Sequence, residues 1–136
     1  MIKNTFTKEE RLCKKVLIDR LFHEGSSFML YPFRVVYLKT PIQSKEVCEN
    51  LPQILISVPK KRFKKAVTRN LIKRRIREVY RIHKQVSFYQ PLCELENSAF
   101  NLYFAIQYIG KEVESYSFMS VRMQNLLKKF LVELEK

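Results

Sequence analysis

Residues 54–84 read ILISVPKKRFKKAVTRNLIKRRIREVYRIHK, and the change of period inside this stretch decides the fold. Ile54 to Val58 is a short apolar run of strand type that Pro59 ends, since proline cannot continue a hydrogen-bonded ladder. From Lys64 to about Lys84 the spacing becomes helical, with Ile72, Ile76, Val79, Tyr80 and His83 on one face. Between Lys60 and Lys84 lie twelve Lys and Arg and one acid, Glu78, so this segment carries +11 of the chain's net +13. Arg69, Lys73, Arg77 and Arg81 recur every four residues as a stripe, with Arg74 beside it. Like charges at that spacing repel by roughly a few tenths of a kcal/mol per pair. A polyanion relieves the repulsion, and a phosphate backbone offers a similar repeated charge. With about six of these side chains on phosphates, counterion release alone lowers affinity by roughly three decades between about 50 and 200 mM salt. Bidentate Arg mixed with point-charge Lys suits an irregular backbone better than a fixed base sequence.

The rest of the chain surrounds this unit. Thr7 to His23 reads as a first helix, with Thr7 as N-cap, Glu10 at the capping-box position and Gly25 as the stop. Its apolar face is Leu12, Val16 or Leu17, Leu21 and Phe22. Phe28 to Leu38 reads as a strand, with Pro32 and Pro41 as punctuation, and Thr40 to Pro52 as a hairpin connection. Ser87 to Ser98 is a polar, proline-containing break. Phe100 to Ile109 is a further strand, and Ser115 to Leu134 a terminal helix with Met119, Met123, Leu126, Leu127, Phe130 and Leu134 as its apolar stripe. Neighbouring strands with one crossover helix predict an α+β fold, one sheet covered by helices. The 136 residues, 46% of them hydrophobic, fit one domain over residues 1–136 with a real core.

Several classes are excluded or disfavoured. No run approaches the ~20 apolar residues of a bilayer span. Met1 to Arg11 has no apolar signal region, so the expected location is the cytoplasm. Cys13, Cys48 and Cys93 are odd in number and widely spaced, a pattern of neither a disulfide framework nor a zinc site. His23 and His83 read as residues of helix C-termini that complement the dipole. With two glycines and no phosphate-cradling loop or nucleophile–base pair, the chain alone shows no catalytic machinery.

A second feature lies apart from the basic helix. Phe33, Val35 and Tyr37 alternate along their strand, and together with Ile18 and Phe22 of the first helix they form either plain core or a platform for unstacked bases.

The stretch Ser57-Val58-Pro59-Lys60-Lys61, followed by Ala66-Val67-Thr68-Arg69-Asn70-Leu71-Ile72-Lys73-Arg74-Arg75-Ile76-Arg77, resembles the signature of the protein subunit of bacterial ribonuclease P. The resemblance extends over nearly the whole chain, from Arg11-Leu12 through Phe22-His23-Glu24-Gly25 and Phe33-Arg34-Val35-Val36-Tyr37 to the late strand and terminal helix. It implies an αβββαβα sandwich with a left-handed βαβ crossover. It also implies a non-catalytic subunit: the ribonuclease P RNA, using Mg²⁺, hydrolyses the 5′ leader from precursor tRNA while the protein assists. Carried over, Lys60, Lys61, Lys64, Lys65, Arg69, Asn70, Lys73, Arg74 and Arg77 are the RNA-contacting set, and Ile18, Phe22, Phe33, Val35 and Tyr37 line a cleft for the single-stranded leader. The resemblance implies the catalytic RNA and precursor tRNA as partners and Mg²⁺ held mainly by RNA; the free protein is expected to be monomeric and away from membranes. Three positions depart from the family pattern: Leu71 replaces an Arg, Pro59 a small residue, and the strand around Gln107 and Tyr108 lacks a terminal Arg. Competing classes are another RNA-binding module, a protein of acidic membrane surfaces, and a stand-alone nuclease.

Overall fold

A computed structural model of the chain describes residues 10–41, 52–93 and 100–135. The elements are α1 (Lys15–Glu24), β1 (Ser26–Leu30), β2 (Phe33–Pro41), β3 (Gln53–Ser57), α2 (Ala66–Lys84), α3 (Gln90–Cys93), β4 (Phe100–Tyr108) and α4 (Tyr116–Glu135). A π-helical turn, Gln85–Tyr89, joins α2 to α3. The four strands form one mixed sheet in the order β1-β2-β4-β3, antiparallel except for the parallel pair β3 and β4. β3, α2 and β4 therefore make the crossover unit, and the architecture is the expected α+β sheet covered by helices.

Side-chain alternation sorts the sheet into two faces. Phe33, Val35 and Tyr37 of β2, Leu102, Phe104, Ile106 and Tyr108 of β4 and Ile54 of β3 are buried with Ile72, Ile76, Val79 and Tyr80 of α2 and Met119, Met123, Leu126, Leu127, Phe130 and Leu134 of α4. Val36 and Ala105 belong to the opposite face, where Leu12 and Leu21 are buried and Leu17, Ile18, Leu38, Leu55 and Tyr103 pack against them. In the main core Phe130 stacks on Phe88 at 5.1 Å between centroids and meets Phe104 edge-on at 5.1 Å. Phe28 and Tyr37 lie 5.4 and 5.2 Å from the same ring.

Five readings of the sequence are corrected. α1 starts at Lys15, with Lys14 as an N-cap that makes no side-chain capping bond; Thr7 lies outside the described residues. Glu10 is no capping-box partner: it is buried 2.5 Å from the Lys84 ammonium and accepts a bond from the Tyr89 hydroxyl at 2.5 Å. That pairing draws the chain before α1 across β3, where the Leu12 amide donates to the Ile54 carbonyl at 2.9 Å. Phe28 to Leu38 is two strands, paired from Leu30↔Phe33 to Ser26↔Tyr37 around the Tyr31-Pro32 turn. Thr40 to Pro52 joins no hairpin, because β2 and β3 are separated by β4; residues 42–51 lie outside the described residues. Ser87 to Ser98 begins helical rather than as a break, since Phe88 and Tyr89 are core residues that hold the chain in the π turn and α3.

Gly25 ends α1 by close approach: a Cβ there would lie 2.3 Å from the Leu21 carbonyl oxygen and 2.8 Å from that of Tyr37. Burial raises the Tyr80 and Tyr89 hydroxyls far above their usual range, so both keep their protons and share a 3.0 Å hydrogen bond. Replacing Glu10 by Ala leaves the Lys84 ammonium buried without its carboxylate, a loss expected to cost about 3–5 kcal/mol of stability. Urea denaturation of Glu10→Ala measures it; a change within roughly 0.5 kcal/mol, the range of an ordinary surface substitution, would deny the pair its structural role.

Candidate nucleic-acid interface

The basic segment begins as a turn rather than a helix. Phe63 is buried against Tyr108 with ring centroids 5.8 Å apart, and its amide donates to the Pro59 carbonyl at 3.2 Å. Anchoring Phe63 leaves Lys60, Lys61, Lys64 and Lys65 on the outside, and all four are exposed. Arg69, one turn into α2, donates through Nη1 to the carbonyls of Phe63 and Lys64, both at 2.8 Å. It thereby closes the turn onto the helix, a use of its guanidinium that the spacing rule did not reveal.

Along α2 the apolar face goes into the core and the opposite face stays open. Asn70, Arg74 and Arg77 are exposed and Lys73 half-buried. Among the described residues the side chains of these four and of the turn lysines make no hydrogen bond or ion pair with the rest of the chain. Other members of the run are engaged internally. Arg75 donates to the Glu114 carbonyl at 2.6 Å, and Arg81 pairs with Glu78, the single acid of the segment, at 2.5 Å. The Arg81 bond holds the Glu78 carboxyl below its ordinary range, and Glu78 in turn raises the guanidinium. Lys84 is consumed by Glu10. The stripe read from the sequence is thus divided: Arg69 and Arg81 serve the fold, whereas Lys73, Arg74 and Arg77 present charge outward beside the turn lysines.

The second predicted set is not brought together. Phe33 and Val35 are fully buried and Tyr37 nearly so, all under α2 and α4. Ile18 packs on the other sheet face, and Phe22, 44% exposed, also belongs to α1. Strand alternation had identified one face correctly but paired it with the wrong helix; the residues that share a face with α1 are Val36, Leu38, Leu55, Tyr103 and Ala105. By the same alternation Arg34 and Gln107 lie on that face, joined by a 3.3 Å hydrogen bond. His83 stands in the last turn of α2, as its reading as a helix C-terminal residue expects; burial lowers its pKa, and its Nε2 lies 2.8 Å from Ser120 Oγ.

No group of three or more metal-ligating side chains occurs among the described residues. Asn70 offers one amide oxygen, and its basic neighbours Arg69, Lys73 and Arg74 oppose a cation, so these residues do not fit a Mg²⁺ site held by this chain alone. No helix among the described residues is long and apolar enough to cross a membrane.

Comparison with solved structures places the fold. The ribonuclease P protein from Thermotoga maritima aligns with a TM-score of 0.61 over 88% of this chain and 96% of that one, at 24% identity. The Staphylococcus aureus protein gives 0.60 over 89% and 94%, also at 24% identity. The class is therefore the α+β sandwich of the bacterial ribonuclease P proteins, here with an exposed basic turn and helix. Sequence comparison is more specific. The model of the Ribonuclease P family matches residues 6–99. The ribonuclease P protein component of Chlorobium phaeobacteroides is 36% identical over 124 residues, 89% of this chain and 83% of the relative. That of Porphyromonas gingivalis is 42% identical over 80 residues, an alignment covering 59% of this chain and 56% of the relative's length. The chain belongs to the Ribonuclease P family.

Because Arg69 closes the turn whereas Arg77 faces solvent, Arg69→Ala is expected to lower stability by about 1–3 kcal/mol and Arg77→Ala by less than about 0.5 kcal/mol. Thermal denaturation of the two variants side by side checks this, and equal melting temperatures would contradict the assignment.

Proposed function

We propose that this chain is the protein component of ribonuclease P, binding the catalytic RNA through the turn at Lys60, Lys61, Lys64 and Lys65 and the α2 face of Arg69, Asn70, Lys73, Arg74 and Arg77. One observation carries the reading: the apolar side of α2 is committed to the core, while the exposed lysines and arginines of this set stand outside it with no acid among the described residues paired to them. Arg69 enters the set with the donors that its two carbonyl bonds leave over. Family membership supplies the RNA partner, and charge supplies the affinity. In this reading the RNA performs the hydrolysis of the precursor tRNA 5′ leader, and Mg²⁺ is held by phosphate oxygens rather than by the protein. The chain acts from the cytoplasm as a monomer.

The leader would lie on the sheet face beside α1, where Leu38 and Tyr103 are half-buried and Phe22 and Arg34 exposed. An apolar and aromatic surface with one guanidinium suits unstacked bases joined by phosphates. A solvated basic helix with no ligand is disfavoured by the concentration of charge: the remaining described surface carries no comparable run of cations.

The test is reconstitution. The purified chain, a bacterial ribonuclease P RNA and a precursor tRNA are mixed at Mg²⁺ low enough for the RNA alone to be nearly inactive, and 5′ leader release is followed. Correct cleavage rescued by the protein, with none from the protein alone, is expected. Salt-sensitive RNA binding without rescue would instead assign the chain to a general RNA-binding role.

A further inference from the structure

The cation at the centre of the basic turn points away from the role of its neighbours. Arg62 lies between Lys61 and Phe63, and its Nη1 donates to the Ile109 carbonyl, 47 residues away. Ile109 is also held through its amide, which donates to the Pro32 carbonyl at 2.7 Å. Just before it, Tyr108 is buried at the end of β4, its hydroxyl donating to the Glu112 carbonyl at 2.5 Å and accepting from the Glu114 amide at 3.1 Å. Gly110 sits so close to that ring that a Cβ would come within 2.8 Å of it. Arg62 therefore ties the basic turn to a point held by both the β1–β2 turn and the end of β4. Phe63 adds a second attachment to the same tyrosine.

We propose that Arg62 is a positioning residue of the RNA interface: it fixes the turn that displays Lys60 and Lys61 by binding the Ile109 carbonyl, and does not itself meet a phosphate. The inference rests on the proposed RNA-binding function. A lysine on a loosely held turn pays more ordering entropy on binding than one already in place, so the tie raises affinity without adding an ionic contact. This role has a signature. A residue that neutralises a phosphate changes the dependence of log Kd on log salt by about one unit when removed, whereas a positioning residue changes affinity and leaves that slope alone.

The experiment measures Kd for a transcribed bacterial ribonuclease P RNA across a potassium chloride series, well below the melting temperature of each variant. Arg62→Ala is expected to bind several-fold more weakly with the wild-type slope, and to cause little further loss in a Lys60→Ala/Lys61→Ala background. Gly110→Ala, which displaces the same anchor without touching any charge, is expected to weaken binding with the slope again unchanged. The proposal is overturned if Arg62→Ala lowers the slope by about one unit and adds fully to the lysine variant, the behaviour of a direct phosphate contact. Wild-type binding by folded Arg62→Ala, or by folded Gly110→Ala should Arg62→Ala not fold, also overturns it. A wild-type chain that does not bind the RNA removes the functional reading itself, a result recognisable before any variant is compared.

Discussion

Helix α2 has to do two incompatible things within the same five turns, and its 3.6-residue period is what allows both. Ile72, Ile76, Val79 and Tyr80 are fully buried, whereas Asn70, Arg74 and Arg77 are exposed. Burial of those four side chains contributes on the order of several kcal/mol, well beyond the few tenths per pair by which the neighbouring cations repel one another. The core therefore decides where the charge goes. The fold softens the repulsion further by directing Arg62, Arg69 and Arg75 onto backbone carbonyls, Arg81 onto Glu78 and Lys84 onto Glu10. The remaining cations form one outward surface, and that residue of uncompensated charge is the physical basis of the functional reading.

The rest of the sandwich serves to hold α2 in place. Phe130 of α4 gathers Phe28, Tyr37, Phe88 and Phe104 around one ring, which joins three strands and the π turn into a single core. The Glu10–Lys84 pair joins the segment before α1 to the C-terminal end of α2, and Tyr89 in the π turn completes it. At the opposite end, Tyr108 receives Phe63 and orders the chain at Glu112 and Glu114, from which Arg75 is held. Both ends of the basic helix are thus tied to residues distant in sequence.

What the sequence made legible follows from the range of the interactions involved. α2, β4 and α4 were readable because their periodicity is local and strong, and every residue named for the α4 stripe is buried. The outward set was readable because charge concentration needs no tertiary knowledge. The predicted cleft failed for a definite reason: alternation separates Phe33, Val35 and Tyr37 from Arg34, Val36 and Leu38, but nothing local says which face meets which helix. Pairing decides that, and β2 pairs with β4, about 70 residues later. The capping-box reading of Glu10 failed likewise, since its partner lies 74 residues away. Arg62, Arg69 and Arg75 were indistinguishable from their neighbours in sequence, because a guanidinium bound to a carbonyl and one facing solvent leave the same letter.

In the proposed function one surface of this chain, and not its general positive charge, meets the RNA. Lysine acetylation read by mass spectrometry, with and without a bacterial ribonuclease P RNA, tests it directly. Lys60, Lys61, Lys64, Lys65 and Lys73 are expected to lose reactivity on binding while Lys128, exposed on α4, keeps it. Equal protection of all exposed lysines, or protection of Lys128 with the basic turn still reactive, would contradict it.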